Sequence, residues 1–216
     1  MVKKSIPSNY DLQVDVGRRI FLQYDQNLLI RKFALDADER WIYLTYLNTP
    51  CRISRANGQI DELLKNIWTE CRDYSTVMTI YDLLCYHKGP GVPPLRHEWC
   101  TAGSFSSIGL KDTGVFSEKY AAVFAGHLKE LSAACVMLGG TIEKPLAGAD
   151  ITCRIPVTSF FPVLLQFWEG EDDFIAPKLQ LMWDKNANSF LHFETTFFLQ
   201  GDLFERLKKI VEQQSL

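Results

Sequence analysis

Three strand-like runs lie in the last third of the chain, and they read ITCRIPV at 151–157, FFPVLLQFW at 160–168 and KLQLMW at 178–183. β-Branched, aromatic and other apolar residues dominate these runs, as in strands that pack on a core. Connections of two and nine residues separate them. Hairpin spacing of this kind is typical of antiparallel neighbours. The sequence therefore predicts an antiparallel sheet in this region.

Helical and strand-like patterns fill the remainder of the chain. Strands are also predicted at 28–35, 41–47 and 190–193, and Asn57-Gly58 indicates a hairpin within 51–60 because both residues tolerate positive φ. Apolar residues at helical spacing predict helices at 8–24, 63–71, 75–84, 117–138 and 200–213. The longest of these ends at Gly139-Gly140.

The order of these elements indicates the fold class. Strands at hairpin spacing with helices set apart from them predict an α+β fold, with a largely antiparallel sheet and segregated helices. The chain has 216 residues, with no repeat and no long linker. We expect a single compact domain over 1–216.

Composition excludes several classes of protein. The net charge is −3 and the basic residues are scattered, whereas a nucleic-acid-binding surface needs clustered Lys and Arg. The N-terminal residues lack the apolar segment of a secretory signal, and the longest apolar run, 160–165, is too short to cross a bilayer. We expect a cytoplasmic protein that binds neither nucleic acid nor membrane.

The six cysteines include no C-x-x-C pair. In a chain without an export signal we expect all six to be reduced thiols, mostly buried as small apolar side chains. The best candidate metal site comprises Cys85, His87, His97 and Cys100. Their spacing differs from that of structural zinc sites, in which the paired cysteines are two to four residues apart. We therefore predict that these four residues bind no metal.

Known catalytic motifs are not found in the sequence. His192-x-Glu194 is similar to the start of a zinc deaminase signature, but the P-C-x-x-C segment of that signature is missing. No cofactor is predicted, and whether the protein is an enzyme stays open.

An acidic turn after the tryptophan-bearing strand is the candidate ligand site. Glu171, Asp172 and Asp173 are candidate ligands there, together with Asp184 at the end of the next strand. Crowded carboxylates can bind a hard cation, although exposed loops have the same composition. Direct antiparallel pairing of the two strands would place Asp184 roughly 20 Å from the turn, at about 3.3 Å per residue. A site with all four residues would need a different pairing.

A set of short motifs resembles a known family. It comprises Gly139-Gly140, Asp150, Arg154-Ile155-Pro156, the stretch 167–174, Trp183-Asp184 and Ala187, with Tyr24-Asp25 and Glu98-Trp99 as further features. Their order is similar to that of bacterial domain-of-unknown-function family number 3786, which occurs mainly in anaerobes such as clostridia. The resemblance implies an accessory place in anaerobic redox or corrinoid metabolism, because longer members join the domain to a four-cysteine iron–sulfur segment. This chain lacks that segment, so cluster binding is not implied.

Three functions remain as hypotheses. The first is an accessory protein of anaerobic bacterial metabolism that binds an unknown small molecule or protein partner. The second is a metal-dependent enzyme that uses the acidic cluster. The third is a structural subunit that buries an aromatic face against another protein.

Overall fold

A helix, α1 (Asn9–Gln23), begins the part of the chain that the computed structural model describes, which comprises residues 9–105, 115–171 and 174–214. A second, shorter helix, α2 (Gln26–Phe33), follows it directly. The first sheet comes next and is an antiparallel meander whose strands lie in chain order. Its strands are β1 (Asp36–Ala37), β2 (Trp41–Tyr46), β3 (Thr49–Ser54), β4 (Ile60–Leu64) and β5 (Ile67–Glu70).

The second sheet is also antiparallel and contains the three runs of the last third of the chain. Its strands are β6 (Trp99–Cys100), β7 (Thr141–Ile142), β8 (Ile151–Thr158), β9 (Phe161–Trp168) and β10 (Lys178–Asp184), in the order β6-β10-β9-β8-β7. Trp168 lies opposite Lys178, and Val163 lies opposite Trp183. The predicted strands at 151–157, 160–168 and 178–183 are confirmed.

Four further helices complete the described part of the fold. They are α3 (Tyr74–Cys85), α4 (Val115–Phe124), α5 (Leu128–Met137) and α6 (Phe193–Gln214). Within the described residues, none of the helices is both long and apolar enough to cross a membrane. The prediction of an α+β fold with antiparallel sheets is confirmed.

The two sheets share one core. Buried apolar side chains from both sheets and from the helices form one contiguous cluster, which includes Phe21, Ile42, Phe161 and Leu203. The N–H of Leu47, in the turn after β2, donates to the carbonyl of Val157 in β8 at 2.9 Å. That the whole chain is one domain stays a prediction.

Two predicted elements in the first third are wrong. The run 28–35 forms α2, because the Asp25 carboxylate accepts the N–H of Leu28 and caps the helix. Its apolar residues then bury one helical face through Leu29 and Phe33. The predicted helix 63–71 is the β4–β5 hairpin, since Lys65 and Asn66 adopt left-handed conformations that suit a two-residue turn.

Two predictions in the last half are also wrong. The predicted helix 117–138 is interrupted between α4 and α5 at Gly126, which has a φ of +77°. The run 190–193 is not a strand, since α6 begins at Phe193, earlier than the predicted helix at 200–213. A four-residue apolar run carries too little periodicity to distinguish these structures.

Candidate functional site

A cleft of about 620 Å³ lies between α1, α3 and the first turns of α6. One helical face of α3 lines it, because Tyr74, Met78, Tyr81 and Cys85 recur every three or four residues. Val16 and Ile20 of α1 line it as well. Both are exposed, at 46% and 42%. The wall of the cleft is therefore largely apolar, which suits the body of a small organic molecule.

Close packing of α1 on α3 forms the floor of the cleft. A Cβ atom at Gly17 would lie 2.9 Å from the ring of Tyr81, so only glycine permits this approach without a shift. The Tyr81 hydroxyl donates to the carbonyl of Gly58 at 2.5 Å, which fixes the ring against the β3–β4 loop. The floor is thus part of the folded core.

A carboxylate–imidazole pair lies at the polar end of the cleft. Asp82 Oδ1 lies 2.6 Å from Nδ1 of His192, and Asp82 Oδ2 accepts the backbone N–H of His192 at 2.7 Å. The Thr195 hydroxyl donates to Oδ2 at 2.6 Å. The Asp82 side chain is 11% exposed and that of His192 is 60% exposed. Asp82 is therefore held from several directions, while the imidazole faces solvent and the cleft.

The contact to Asp82 determines which imidazole nitrogen is available. A carboxylate beside Nδ1 favours the tautomer that carries its proton there, and Nε2 is then the acceptor of the neutral ring. The Tyr86 ring packs edge-on against His192 with centroids 4.2 Å apart. In the neutral ring this contact favours a free Nε2 acceptor, and the Tyr86 ring supports the orientation of the imidazole.

Cys85 and Lys88 are two further ionisable residues of the cleft lining. Burial raises the pKa of the Cys85 thiol to about 12, so this thiol stays protonated and is not a nucleophile near neutral pH. The Lys88 ammonium donates to the carbonyl of Cys85 at 2.8 Å and lies over the ring of Tyr24. Of the described side chains around the cleft, His192 is the best placed to exchange a proton with a ligand.

The structure gives Asp184 a different environment from the predicted one. It lies at the end of β10 opposite to the acidic turn, six residues beyond Lys178, which is about 20 Å along a strand. Its side chain is buried and accepts the backbone N–H groups of Arg96, His97 and Asn186 at 2.7–3.1 Å. Asp184 therefore stabilises the loop before β6.

The acidic turn itself lies at the other end of the sheet. Glu171 is exposed, and its backbone pairs with Ile175. Asp172 and Asp173 lie outside the described residues. The structure does not bring Glu171 together with Asp184, and the role of the four residues as a ligand site stays a prediction.

The four rejected metal ligands occupy separate places. Cys85 is buried in α3, and Cys100 lies in β6 opposite Trp183. The His87 carbonyl accepts the Tyr24 hydroxyl at 3.0 Å, and the N–H of His97 donates to Asp184. Across the described ranges, no group of three or more His, Cys, Asp or Glu side chains is arranged to hold a metal ion.

Several residues of the family resemblance meet in space. Trp99 pairs with Asp184 across β6 and β10, although they are far apart in sequence. The Asp150 carboxylate accepts the N–H of Glu169 at 2.8 Å, and Asp25 caps α2. These motifs fix turns and strand ends, and they lie outside the cleft lining.

A family described as Domain of unknown function (DUF3786) matches residues 29–206. The chain belongs to this family. The matched range contains Asp82 and His192 but not α1, so the DUF3786 match covers the polar end of the cleft and leaves out one of its apolar walls. No curated protein and no solved structure shows significant similarity to the chain.

Sequence reasoning missed this site. Asp82 belongs to no recognised motif, and His192 belongs only to the incomplete zinc deaminase signature. The two residues are 110 positions apart, so no local spacing links them. The other sequence signal is the apolar face of each helix that lines the cleft. Packing in an ordinary hydrophobic core produces the same pattern.

Proposed function

We propose that the protein is an accessory protein that binds a small organic molecule in the cleft between α1, α3 and α6. The observation that carries the proposal is the combination of an apolar wall with one oriented polar group, His192, at its end. Binding sites for small molecules have this composition, with few polar groups that fix the orientation of the ligand. Exposed Val16 and Ile20 would gain burial when such a ligand binds.

The cellular setting of this protein is part of the proposal. A cytoplasmic role in anaerobic bacterial metabolism is supported by the family resemblance and by the cysteine pattern. The metal-dependent alternative, with Glu171, Asp172, Asp173 and Asp184, requires stoichiometric metal in untagged protein. Metal analysis of the purified chain therefore separates the two proposals.

The structural-subunit alternative has a defined surface in the first sheet. Trp41, Tyr43 and Trp68 are partly exposed on its outer face. The Arg52 guanidinium lies 3.9 Å from the ring centroid of Trp41 and 4.5 Å from that of Trp68, and it pairs with Asp61 at 2.8 Å. These rings already have a partner within the chain, which favours the cleft as the site of function.

Binding of a neutral apolar dye, N-phenyl-1-naphthylamine, tests the cleft. We expect saturable fluorescence enhancement with the native protein. Val16→Trp should abolish it, because the larger ring fills the cleft, whereas Leu22→Trp adds the same ring to α1 at an exposed position outside the lining. Equal dye binding by both variants, or no saturable binding, would overturn the proposal.

A further inference from the structure

The imidazole of His192 is arranged to accept a proton from a ligand. Its Nδ1 faces Asp82 Oδ1 at 2.6 Å, and Nε2 has no partner among the described residues. A neutral imidazole in this tautomer offers one hydrogen-bond acceptor. The Nε2 acceptor favours ligands that carry a hydrogen-bond donor. The apolar side chains around it favour ligands whose remaining surface is apolar.

We infer that the cleft takes an apolar organic molecule that carries a weakly acidic hydroxyl group, a phenol or an enol, and that His192 Nε2 accepts its proton. This inference rests on the proposed function. Carboxylic acids fit less well because they are already ionised near neutral pH and have no proton to give.

The proton transfer is balanced within the site. The O–H bond of the ligand breaks, its electron pair stays on the oxygen, and a new N–H bond forms at Nε2. The resulting imidazolium lies between the ligand oxyanion and the Asp82 carboxylate, and opposite charges at such distances stabilise the pair. No oxidant, metal or second substrate is needed. Asp82 acts through the ring and is therefore a positioning residue.

The other titratable groups around the cleft have to be compatible with this transfer. They are Tyr74, Tyr81, Cys85, Tyr86, Lys88 and Glu194. The Cys85 thiol stays protonated, and the Lys88 ammonium donates to the Cys85 carbonyl. Glu194 is exposed to solvent, which screens its charge. Asp82 remains the carboxylate in direct contact with the ring.

A matched pair of probes tests the inference. 4-Nitrophenol and 4-nitroanisole share their ring and nitro group, but only the phenol has a proton to give. At a pH at which the free phenol is protonated, the native protein should bind 4-nitrophenol about tenfold more tightly than the ether, as for a hydrogen bond to a charged group. The bound phenol should show the absorption band of its phenolate.

Two variants assign the effect to the pair. His192→Gln should lose both the preference for the phenol over the ether and the phenolate band. Asp82→Asn, which retains an oxygen to cap α6, should reduce the preference and weaken the band. The preference is measured as the ratio of the two affinities within each variant, so a general change in cleft binding cancels. Equal affinity of the native protein for both probes, or a preference that survives His192→Gln, would refute the inference.

The dye separates failure of the inference from failure of the proposed function. If N-phenyl-1-naphthylamine binds and neither nitro compound does, only the inference fails. If the dye also fails to bind, the proposed function fails as well.

Discussion

Asp82 and His192 lie 2.6 Å apart through Oδ1 and Nδ1, although 110 residues separate them in the chain. The other oxygen of the same carboxylate accepts the His192 N–H and the Thr195 hydroxyl, so it also caps the beginning of α6. One side chain of α3 therefore holds α6 in place and orients the imidazole at the cleft. Asp82 therefore bears both on the stability of the fold and on the proposed binding at the cleft.

Removal of the Asp82 carboxylate should destabilise the fold. We expect Asp82→Ala to lower the free energy of unfolding by about 2–3 kcal/mol, because it leaves the capped N–H and the hydroxyl without their acceptor. Asp82→Asn should lower the free energy of unfolding by about 1 kcal/mol. Urea denaturation followed by circular dichroism measures both.

Glu212→Ala, which removes a carboxylate from an exposed ion pair on α6, is the control and should change stability by less than about 0.5 kcal/mol. Equal losses for Asp82→Ala and the control would contradict the capping role.

Arg206 should be the most sensitive charged residue of α6. Its guanidinium pairs with Asp202 at 2.8 Å and with Glu62 of β4 at 2.9 Å, and it donates to Thr49 and Thr76. Arg206→Ala removes the cation that pairs with these two carboxylates, which are themselves largely buried. We expect it to lower the free energy of unfolding by about 3–5 kcal/mol.

The control for Arg206 is Lys208→Ala on the same helix. It breaks an exposed ion pair with Glu212 and should lower the free energy of unfolding by less than about 0.5 kcal/mol. Thermal and urea unfolding of the two variants give the comparison. A loss for Arg206→Ala no larger than that of Lys208→Ala would show that the buried ion pairs add nothing to stability.

Thiol reactivity should distinguish Cys100 from the other cysteines. The structure holds all six as free thiols, and only Cys100 is partly exposed. In native protein at pH 8, iodoacetamide should therefore modify Cys100 first, as mass spectrometry of the labelled peptides would show. In denaturant without reductant the count should be six. A count of four would indicate one disulfide and would contradict this prediction.

Stability should fall at alkaline pH because buried thiols resist ionisation. Burial raises the pKa of Cys51 and of Cys85 from the ordinary 9.0 to about 12. Above pH 9 the unfolded chain loses these protons while the folded protein keeps them, so the stabilisation present below pH 9 is lost between pH 9 and 12. At pH 10 each thiol should lower the free energy of unfolding by about 1 kcal/mol relative to pH 7.5.

The contribution of one thiol can be isolated by substitution. Cys85→Ala should reduce the drop in unfolding free energy between pH 7.5 and 10 by about that amount. A drop that Cys85→Ala leaves unchanged would mean that its thiol titrates normally in the folded state.

Local patterns were sufficient where an element is long or bounded by strong turn signals. The strands β8, β9 and β10, the helix α3 and the end of α5 at Gly139 all follow from residues close in sequence. Three of the wrong predictions share one cause, whereas the long predicted helix at 117–138 is interrupted at Gly126. The runs at 28–35, 63–71 and 190–193 are short and apolar, and their structure depends on a cap or a turn. Asp25 and the pair Lys65–Asn66 supply these signals, and they are weaker than the apolar pattern next to them.

The sequence by itself determined the fold class, the antiparallel C-terminal sheet and the family, because each depends on periodicity or on the order of short motifs. Only the tertiary structure decided that Asp184 stabilises a loop and that Asp82 meets His192 at a cleft. A carboxylate is satisfied by whichever donors the fold brings within about 3 Å, and those donors are set by long-range packing. Arg96 N–H for Asp184 and the His192 ring for Asp82 are both contacts of this kind.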